Sequence, residues 1–519
     1  MQIEPEGSRF FRVVALLALA AAFGFSLYVL WVGWHQPIIE MHGFRQTQTA
    51  LTVYWLMQGG DWLAYETPVL GSPWAIPMEF PLYQWLVALI ASLTSVGIDQ
   101  VGRAVNYVFF LLCLWPMQAI FRQLRLSSET FVVAAALTLM APIYLFWSRT
   151  VMIESMALFF SLGFVAFYLR WLDFGGIRDA FGALLFAVVA MLVKVTTAIP
   201  YGILAAILSI LPAITWIRSK QWKTLAIRGS AALLVAGFAL FFLVSWVAYS
   251  DAIKAQNPIG VTLTSDALSA WNFGTFEQRT GEKLWTQTIR YRAVPEAVGS
   301  VVVLWVALIL TAILSRRAAL AAWLSGLAWL SAFLIFTNLH IVHNYYQYAN
   351  AILLVTVVAI VIADLARLKP FAATATLALV LTLQWMTFHK IYEPFLKRNL
   401  ENEKTLRIAD SIRRETSPDT AIVVFGYDWS SEIAYYSQRK SLTLPGWVSP
   451  GVISAFMSSP QHAVEPLALS AVVYCRASNP LPFQEMVNAV LSQFDVSRVE
   501  TVDDCEISFI KSPITKDLK

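Results

Sequence analysis

Residues 128–171 read SETFVVAAALTLMAPIYLFWSRTVMIESMALFFSLGFVAFYLRW. Two apolar runs in this stretch, near 128–147 and 153–171, are each long enough to cross about 30 Å of hydrocarbon as a helix. Two charged residues mark the junction of the runs: Arg149 lies between them, and Glu154 lies at the start of the second. The stretch therefore predicts two transmembrane helices joined by a short polar turn.

The composition of the whole chain points the same way. Of 519 residues, 58% are hydrophobic and 13% are charged, where a soluble domain carries about 25% charged residues. Much of the protein must therefore face lipid. The formal net charge is only +4, and no nucleic acid is expected as a partner, because that would require a concentrated basic face.

Apolar runs of membrane-spanning length recur along the chain and predict eleven crossings. They lie near 11–33, 104–122, 128–147, 153–171, 180–194, 197–216, 228–249, 298–314, 319–338, 346–365 and 371–388. The first run follows Arg9 and Arg12 and has no clear cleavage site after it, which indicates an uncleaved signal anchor that starts on the cytoplasmic side.

The basic residues predict the orientation of these helices. With the N-terminus inside, five loops fall on the cytoplasmic side and each is basic, as the positive-inside rule requires. Their basic residues are Arg122, Arg125, Arg170, Arg178, Arg218, Lys220, Lys223, Arg228, Arg316, Arg317, Arg367 and Lys369. We therefore expect a multi-pass protein of the inner (plasma) membrane with a cytoplasmic N-terminus. The apolar stretch 80–98 would reverse this order as a further span, so we interpret it as an interfacial helix.

The predicted fold class is an α-helical polytopic membrane protein with a small C-terminal α/β domain. Residues 1–390 form the membrane module, with outer loops at 34–102 and 250–297, and residues 391–519 form a periplasmic or otherwise extracytoplasmic domain. Short β-branched runs near 421–425, 471–474 and 507–510 predict strands in that domain. Cys475 and Cys505 would pair there if the compartment is oxidising, a question that the sequence leaves open.

Polar residues concentrate on the predicted outer side of the membrane. Charged side chains at membrane depth are costly and usually functional. The candidates are Glu40, His42, Arg45, Gln46, Glu79, Arg149, Glu154, Lys194, His343, Tyr345 and Tyr346. Anchoring at lipid headgroups would explain the cations and aromatic residues but not the glutamates, so we expect an acid/base and phosphate-binding cavity. A divalent metal is an alternative that no compact ligand spacing supports.

Several motifs in this pattern resemble those of the GT-C glycosyltransferases of family 39, a group that includes protein O-mannosyltransferases and lipid A aminoarabinose transferases. The resemblance extends over most of the membrane module. Its motifs are QGGDW at 58–62, EFPLYQWL at 79–86, SRTVMIESM at 148–156 and LVKV at 192–195, and residues 426–429 and 435–440 fit the outer domain of bacterial members.

The resemblance implies an inverting transfer of a sugar from a polyprenyl-phosphate carrier at the outer face of the membrane. Glu79, Glu154 and Lys194 match two acidic positions and a lysine of that family. The family's Asp-Glu pair, however, falls on Arg45 and Gln46, and its phosphate-binding lysine falls on Phe80. The usual catalytic base is therefore missing from its usual place.

Such a transfer needs a base for the acceptor hydroxyl and cations for the departing phosphate. We expect Glu79 or Glu40 as the base, with Glu154 as a third candidate. The cationic candidates are Arg45, Arg149, Lys194 and His343, while His42, Gln46, Tyr345 and Tyr346 would contact substrate. Membrane lipid, the lipid-linked sugar donor and a lipid, glycan or protein acceptor are the predicted partners.

Three other functions fit parts of the pattern. A polysaccharide polymerase or ligase with a lipid-diphosphate donor is chemically close to the first interpretation. A transporter of lipid-linked sugars would place its polar site near the membrane midplane, often between internal repeats that this chain does not show. A non-enzymatic scaffold remains an alternative because the expected aspartate is absent.

Overall fold

The computed structural model describes residues 6–476 and 483–511. The chain divides into two compact units. The helical unit comprises Met1–His35, Arg103–Trp246 and Ser269–Lys397, and the mixed unit comprises Gln36–Gly102, Val247–Leu268 and Arg398–Lys519. Segments far apart in sequence thus belong to one unit, while the division at residue 390 suggested by the sequence stays a proposal.

Within the described residues, eight helices are long and apolar enough to cross a membrane. They are Arg9–Val32, Ile98–Gln123, Glu154–Phe174, Ile177–Arg218, Trp222–Lys254, Arg316–Ile335, Asn344–Leu368 and Pro370–Ile391. The pair Lys283–Val298 and Val301–Ile313, bent by 80°, would make a ninth. The chain is therefore a multi-pass helical membrane protein, as predicted, but the count of eleven spans is not confirmed.

Two parts of the chain account for most of the difference in count. The predicted span 128–147 is two shorter helices, Ser128–Met140 and Pro142–Trp147, separated by extended backbone at Ala141. Proline cannot donate the hydrogen bond that would continue the first helix. The predicted spans 180–194 and 197–216 lie in one element, Ile177–Arg218, whose helical geometry breaks at Lys194 (φ −162°, ψ 97°).

The other helical segments are short. They are Gly43–Met57, Leu82–Thr94, Gly260–Leu263, Ser269–Phe273, Phe276–Thr280, the π-helix Lys283–Ala293, Val294–Val298, Val301–Leu310, Thr311–Ile313, Thr337–Val342, Asn344–Gln347, Glu393–Leu396, Lys404–Glu415, Glu432–Ser437, Pro450–Ser458, His462–Val464 and Phe483–Leu491. Leu82–Thr94 confirms the helix expected within 80–98, and its 13 residues span about 20 Å, too little to cross the hydrocarbon.

The mixed unit contains a five-stranded sheet. Its strands are β1 (Thr420–Phe425), β2 (Lys440–Leu444), β3 (Ala468–Cys475), β4 (Val496–Val502) and β5 (Cys505–Ile510), in the order β2-β1-β3-β5-β4. β1 runs parallel to β2 and β3, whereas β5 runs antiparallel to β3 and β4. The small α/β domain is thus confirmed, and β2 and β4 add two strands that the sequence did not indicate.

A disulfide joins β3 to β5. Cys475 and Cys505 are opposite each other in the antiparallel ladder and form this bond. The pairing that the sequence left open is thus present in the structure. The third cysteine, Cys113, is buried and has a free thiol.

Residues of the first predicted outer loop pack on the sheet within the mixed unit. Residues 68–71 run beside β2: the Ser441 N–H donates to Pro68 O at 3.0 Å, and the Thr443 N–H donates to Val69 O at 2.8 Å. The side-chain amide of the buried Asn257 also donates to the carbonyls of Gly71 and Pro73, at 3.0 and 2.9 Å. The loop is therefore held by backbone hydrogen bonds that satisfy the edge of the sheet.

Candidate functional site

A buried ion pair marks the helical unit. Lys194 Nζ donates to Glu154 Oε1, and the two side chains are only 5% and 2% exposed. Glu154 is the first residue of its helix, and Lys194 lies at the break inside Ile177–Arg218. Charges removed from water are retained when they are paired, since an isolated one would be strongly unfavourable. The structure thus brings together two of the predicted site residues.

Two stacked tyrosines lie over the lysine. Lys194 Nζ is 4.5 Å from the ring centroid of Tyr346 and 5.4 Å from that of Tyr345, which is within range of a cation–π interaction. The two tyrosine rings stack with their centroids 4.7 Å apart, and His343 stacks on Tyr345 at 5.2 Å. Five predicted site residues, including Glu154, therefore form one continuous cluster in the helical unit.

Arg149 is fully buried in the turn before the Glu154 helix. Its guanidinium carbon lies 4.6 Å from the ring centroid of Phe146. Gly33 leaves room for this group, because a Cβ at that position would collide with the guanidinium. A guanidinium can bind a phosphate with two parallel hydrogen bonds, so a buried arginine is a candidate for contact with such a group.

The same unit contains a second buried polar group that the sequence did not indicate. Glu296 is 2% exposed and accepts a hydrogen bond from the Gln347 amide. Arg292, four residues earlier, donates to the backbone carbonyls of His340 and Ile341. Opposite charges at positions i and i+4 are usual on solvent-facing helices. In the sequence, only the position of Arg292 and Glu296 between apolar runs would have indicated that they are buried.

In the mixed unit, Arg45 and Glu79 form an ion pair. Arg45 Nη2 lies 2.5 Å from Glu79 Oε1, with side chains 13% and 26% exposed. Arg45 also donates to Gln48 Oε1 at 3.3 Å. Tyr65 donates to the Glu79 carbonyl at 2.8 Å, and burial, together with the Glu79 carboxylate, raises the pKa of its phenol well above the ordinary value. These contacts fix the position of Glu79.

Three other predicted residues precede or begin the Gly43–Met57 helix. Glu40 is buried, and the Gln46 side chain is fully buried and donates to Met41 O at 3.2 Å. His42 adopts a left-handed backbone (φ 52°) directly before the helix, and its ring meets that of Phe44 edge-on with the centroids 5.9 Å apart. In the structure Gln46 thus holds the start of its own helix, while the predicted roles of these residues toward substrate stay proposals.

Two more charged groups of the mixed unit were not predicted. Lys440 Nζ lies 2.5 Å from Glu66 Oε2, and within 4.7 and 5.6 Å of the ring centroids of Trp55 and Trp74. Glu432 lies against Gly43, where a Cβ would come within 2.5 Å of its carboxylate oxygen. Burial raises the pKa of Glu432 to about 7. Lys440 belongs to the stretch 435–440 that contributes to the resemblance, but it was not predicted to have a role in a site. Glu432 does not stand out, because it lies in a polar stretch of the tail.

Among the described residues, no group of three or more histidine, cysteine, aspartate or glutamate side chains is arranged to hold a metal ion. Two carboxylates of the predicted site instead face cations: Glu154 faces Lys194, and Glu79 faces Arg45. The charges of these two carboxylates are thus balanced by basic side chains.

No protein-family model matches the sequence, and no curated protein matches it in sequence. Solved structures do match it in fold. ArnT from Cupriavidus metallidurans bound to undecaprenyl phosphate is 13% identical with a TM-score of 0.61, over 95% of this chain and 97% of that one. Archaeal oligosaccharyltransferase AglB from Archaeoglobus fulgidus, in complex with an inhibitory peptide and a dolichol-phosphate, is 11% identical with a TM-score of 0.54, over 89% of this chain and 69% of that one.

Both of these proteins are GT-C glycosyltransferases. The match extends over most of the present chain, which confirms at the level of the fold the resemblance seen in the sequence. At 11–13% identity, the similarity concerns the path of the backbone. This chain has the fold of the GT-C glycosyltransferases.

Proposed function

We propose that this protein is a membrane glycosyltransferase that moves a sugar from a polyprenyl-phosphate donor to a lipid, glycan or protein acceptor. The observation that carries the proposal is the buried Glu154–Lys194 pair beneath the stacked tyrosines. It is supported by the fold, since ArnT was solved with undecaprenyl phosphate and AglB with a dolichol-phosphate. Both ligands present a phosphate group on an isoprenoid chain.

The cations of the helical unit are suited to the leaving group of such a transfer. When the bond between the anomeric carbon and the phosphate oxygen breaks, negative charge develops on that oxygen. Arg149 and Lys194 are buried cations in surroundings of low dielectric, where their attraction for this charge is strong. Arg45 and His343 are further candidates for contact with the phosphate or the sugar.

A carboxylate would accept the proton of the acceptor hydroxyl. Glu79 and Glu40 are the first two candidates and Glu154 is the third. A nearby cation favours the charged form of a carboxylate, keeping it ready to accept a proton but lowering its basicity. Since Arg45 pairs with Glu79 and Lys194 pairs with Glu154, a substrate that competes for the cation would increase the basicity of either glutamate.

We place the reaction at the outer face of the inner membrane, with the N-terminus in the cytoplasm. The distribution of basic residues supports this orientation. The Cys475–Cys505 disulfide supports an oxidising compartment for the sheet.

The test is transfer of radiolabelled sugar by the purified protein in proteoliposomes, from a panel of polyprenyl-phosphate sugars into lipid, glycan and protein fractions. Glu79→Gln, Glu40→Gln and Glu154→Gln are measured in parallel, with and without a chelator of divalent metals. Lys220→Met, an exposed residue in a predicted cytoplasmic loop, serves as a matched control.

The proposal expects transfer by the wild type and the control, and a loss of at least 100-fold in the variant that lacks the base. Transfer only from polyprenyl-diphosphate sugars would identify the polymerase or ligase alternative. Movement of the intact donor across the vesicle without transfer would identify a transporter. A folded protein that neither transfers nor moves any donor would contradict the proposal and favour the scaffold.

A further inference from the structure

The segment Lys283–Val298 contacts the stretch 340–347, which contains the substrate-binding candidates His343, Tyr345 and Tyr346. Its π-helix, Lys283–Ala293, is followed directly by the short helix Val294–Val298. π-Helical turns are rare in proteins, and those that occur often lie at functional sites. The segment carries two charged side chains, Arg292 and Glu296, that point at the chain between His340 and Gln347.

Arg292 holds the end of the helix Thr337–Val342. Its Nη1 donates to Ile341 O at 3.1 Å, and its Nη2 donates to His340 O. The last carbonyls of a helix have no partner within the helix, and they carry partial negative charge. A guanidinium presents donors in a fixed fork and can therefore hold two adjacent carbonyls at once.

Glu296 holds the other end of the same stretch. Its carboxylate accepts from the amide of Gln347, the last residue of the 3₁₀ turn Asn344–Gln347. Glu296 and Gln347 are each 2% exposed, so this bond is shielded from water. Arg292 and Glu296 thus form hydrogen bonds to the two ends of the stretch 340–347. His343, Tyr345 and Tyr346 lie within this stretch.

We propose that Arg292 and Glu296 are positioning residues for the donor site. They hold the stacked pair Tyr345 and Tyr346 over Lys194, and so fix the geometry in which the lysine meets the phosphate of the donor. They act through the tyrosines and do not touch the substrate. The proposal rests on the proposed function only where it concerns the donor; the placement of the tyrosines can be tested without any substrate.

The first experiment measures the environment of the Tyr346 ring directly. 3-Fluorotyrosine is introduced at position 346, and its ¹⁹F resonance is compared in the wild type, Arg292→Ala and Arg292→Lys. Arg290→Ala is the matched control, because Arg290 lies two residues away and is exposed. We expect a shifted or broadened resonance in Arg292→Ala, partial recovery in Arg292→Lys and no change in the control. An unchanged resonance in Arg292→Ala would overturn the proposal.

The second experiment measures the KM and kcat for the sugar donor. We expect Arg292→Ala to raise the KM for the polyprenyl-phosphate sugar about tenfold with a smaller change in kcat, and Arg292→Lys to recover part of the loss. In combination with Tyr346→Ala, the effect of Arg292→Ala should largely disappear, since residues that act through one contact are not additive. Fully multiplicative effects, or a wild-type KM in Arg292→Ala, would contradict the role at the donor site.

The two experiments separate this proposal from the proposed function. A wild type that transfers no sugar, together with a ¹⁹F change in Arg292→Ala, would refute the proposed function and leave the positioning intact. If Arg292→Ala does not fold, Glu296→Ala provides the same comparison, with Glu296→Gln as the conservative variant that can still accept from Gln347. A wild-type resonance in Glu296→Ala would refute the positioning.

Discussion

Lys194 shows how a single residue can carry both a structural cost and a chemical use. Moving an ammonium group out of water costs several kcal/mol, which its attraction to Glu154 and the tyrosine rings offsets. If such an ion pair served stability alone, both of its members could be replaced by apolar residues at little cost in stability. Stability alone therefore gives no reason for this pair, and the proposed contact with the donor phosphate provides one.

We expect Lys194→Met to destabilise the protein by about 3–5 kcal/mol, because it leaves Glu154 charged and buried. The double variant Lys194→Met with Glu154→Gln should recover most of this loss while remaining inactive. Melting in detergent, followed by size-exclusion chromatography, measures the stability of each variant. A single variant that melts like the wild type would show that the two charges are not coupled.

Glu432 predicts a dependence of stability on pH. Burial raises its pKa to about 7, with repulsion from Glu403 adding to this rise and Arg398 opposing it. Between its ordinary pKa of about 4.5 and 7, the folded state binds more protons than the unfolded state. Stability therefore falls as the pH rises through this window.

Glu432→Gln removes the ionisation, and we expect the variant to be more stable than the wild type at pH 8 by on the order of 2 kcal/mol. The two proteins should be equally stable at pH 4. Thermal melts across this range provide the measurement, with Glu401→Gln, an exposed residue, as the control. If the difference in stability between the wild type and Glu432→Gln were the same at every pH, the prediction for Glu432 would be wrong.

At the scale of elements, the charged candidates lie where helices start, end or break. Glu154 begins a helix, Lys194 lies at a break, and Arg149 lies in the turn between two helices. Backbone groups lack helical partners at such places, and a carboxylate at a helix N-terminus is favourable there. Ends of membrane helices are thus suited to polar chemistry that their middles cannot accommodate.

The join between residues 68–73 and the segment around Asn257 provides a test at this scale. Besides its donor bonds, Asn257 Oδ1 accepts from the N–H groups of Ile259 and Gly260 at 2.8 and 2.7 Å. We expect Asn257→Ala to destabilise the mixed unit by about 3 kcal/mol, since several buried backbone groups lose their partner. Hydrogen exchange of residues 68–73 would report the loss.

Asn402→Ala is the matched control, because Asn402 is exposed. Its effect should stay within about 0.5 kcal/mol. Equal protection of residues 68–73 in the two variants would mean that the loop is held by its backbone bonds to β2 alone.

For the whole molecule, the disulfide gives a prediction about compartment. The sequence contains three cysteines, of which Cys475 and Cys505 are bonded and Cys113 is free. Protein isolated from its native membrane and denatured without reductant should react with one maleimide per chain, and with three after reduction. Three reactive thiols before reduction would place the sheet in a reducing compartment.

Loss of this bond should also weaken the mixed unit. Closing a stretch of 30 residues restricts the unfolded chain, so Cys475→Ser with Cys505→Ser should cost about 3 kcal/mol. The helical unit lacks this disulfide and should melt unchanged. Limited proteolysis of the double variant, read separately for sheet and helix peptides, distinguishes the two units.

The sequence by itself determined the membrane class, the positions of most apolar helices and three of the five strands. These features depend on local properties, because about twenty apolar residues suffice to cross a bilayer and β-branched runs favour strands. The charged candidates were visible for a similar reason, since each interrupts an apolar context. The motifs around Arg149, Glu154 and Lys194 also carried the resemblance to the GT-C fold.

Only the tertiary structure decided which of these residues meet. The pairing of Lys194 with Glu154 joins residues 40 positions apart, and the bond between Glu296 and Gln347 joins residues 51 positions apart. The number of spans also depended on the fold, because Pro142 follows a break inside one predicted span, and two other predicted spans lie in one element that bends at Lys194. Such contacts follow from packing between distant segments, which hydrophobicity along the chain does not encode.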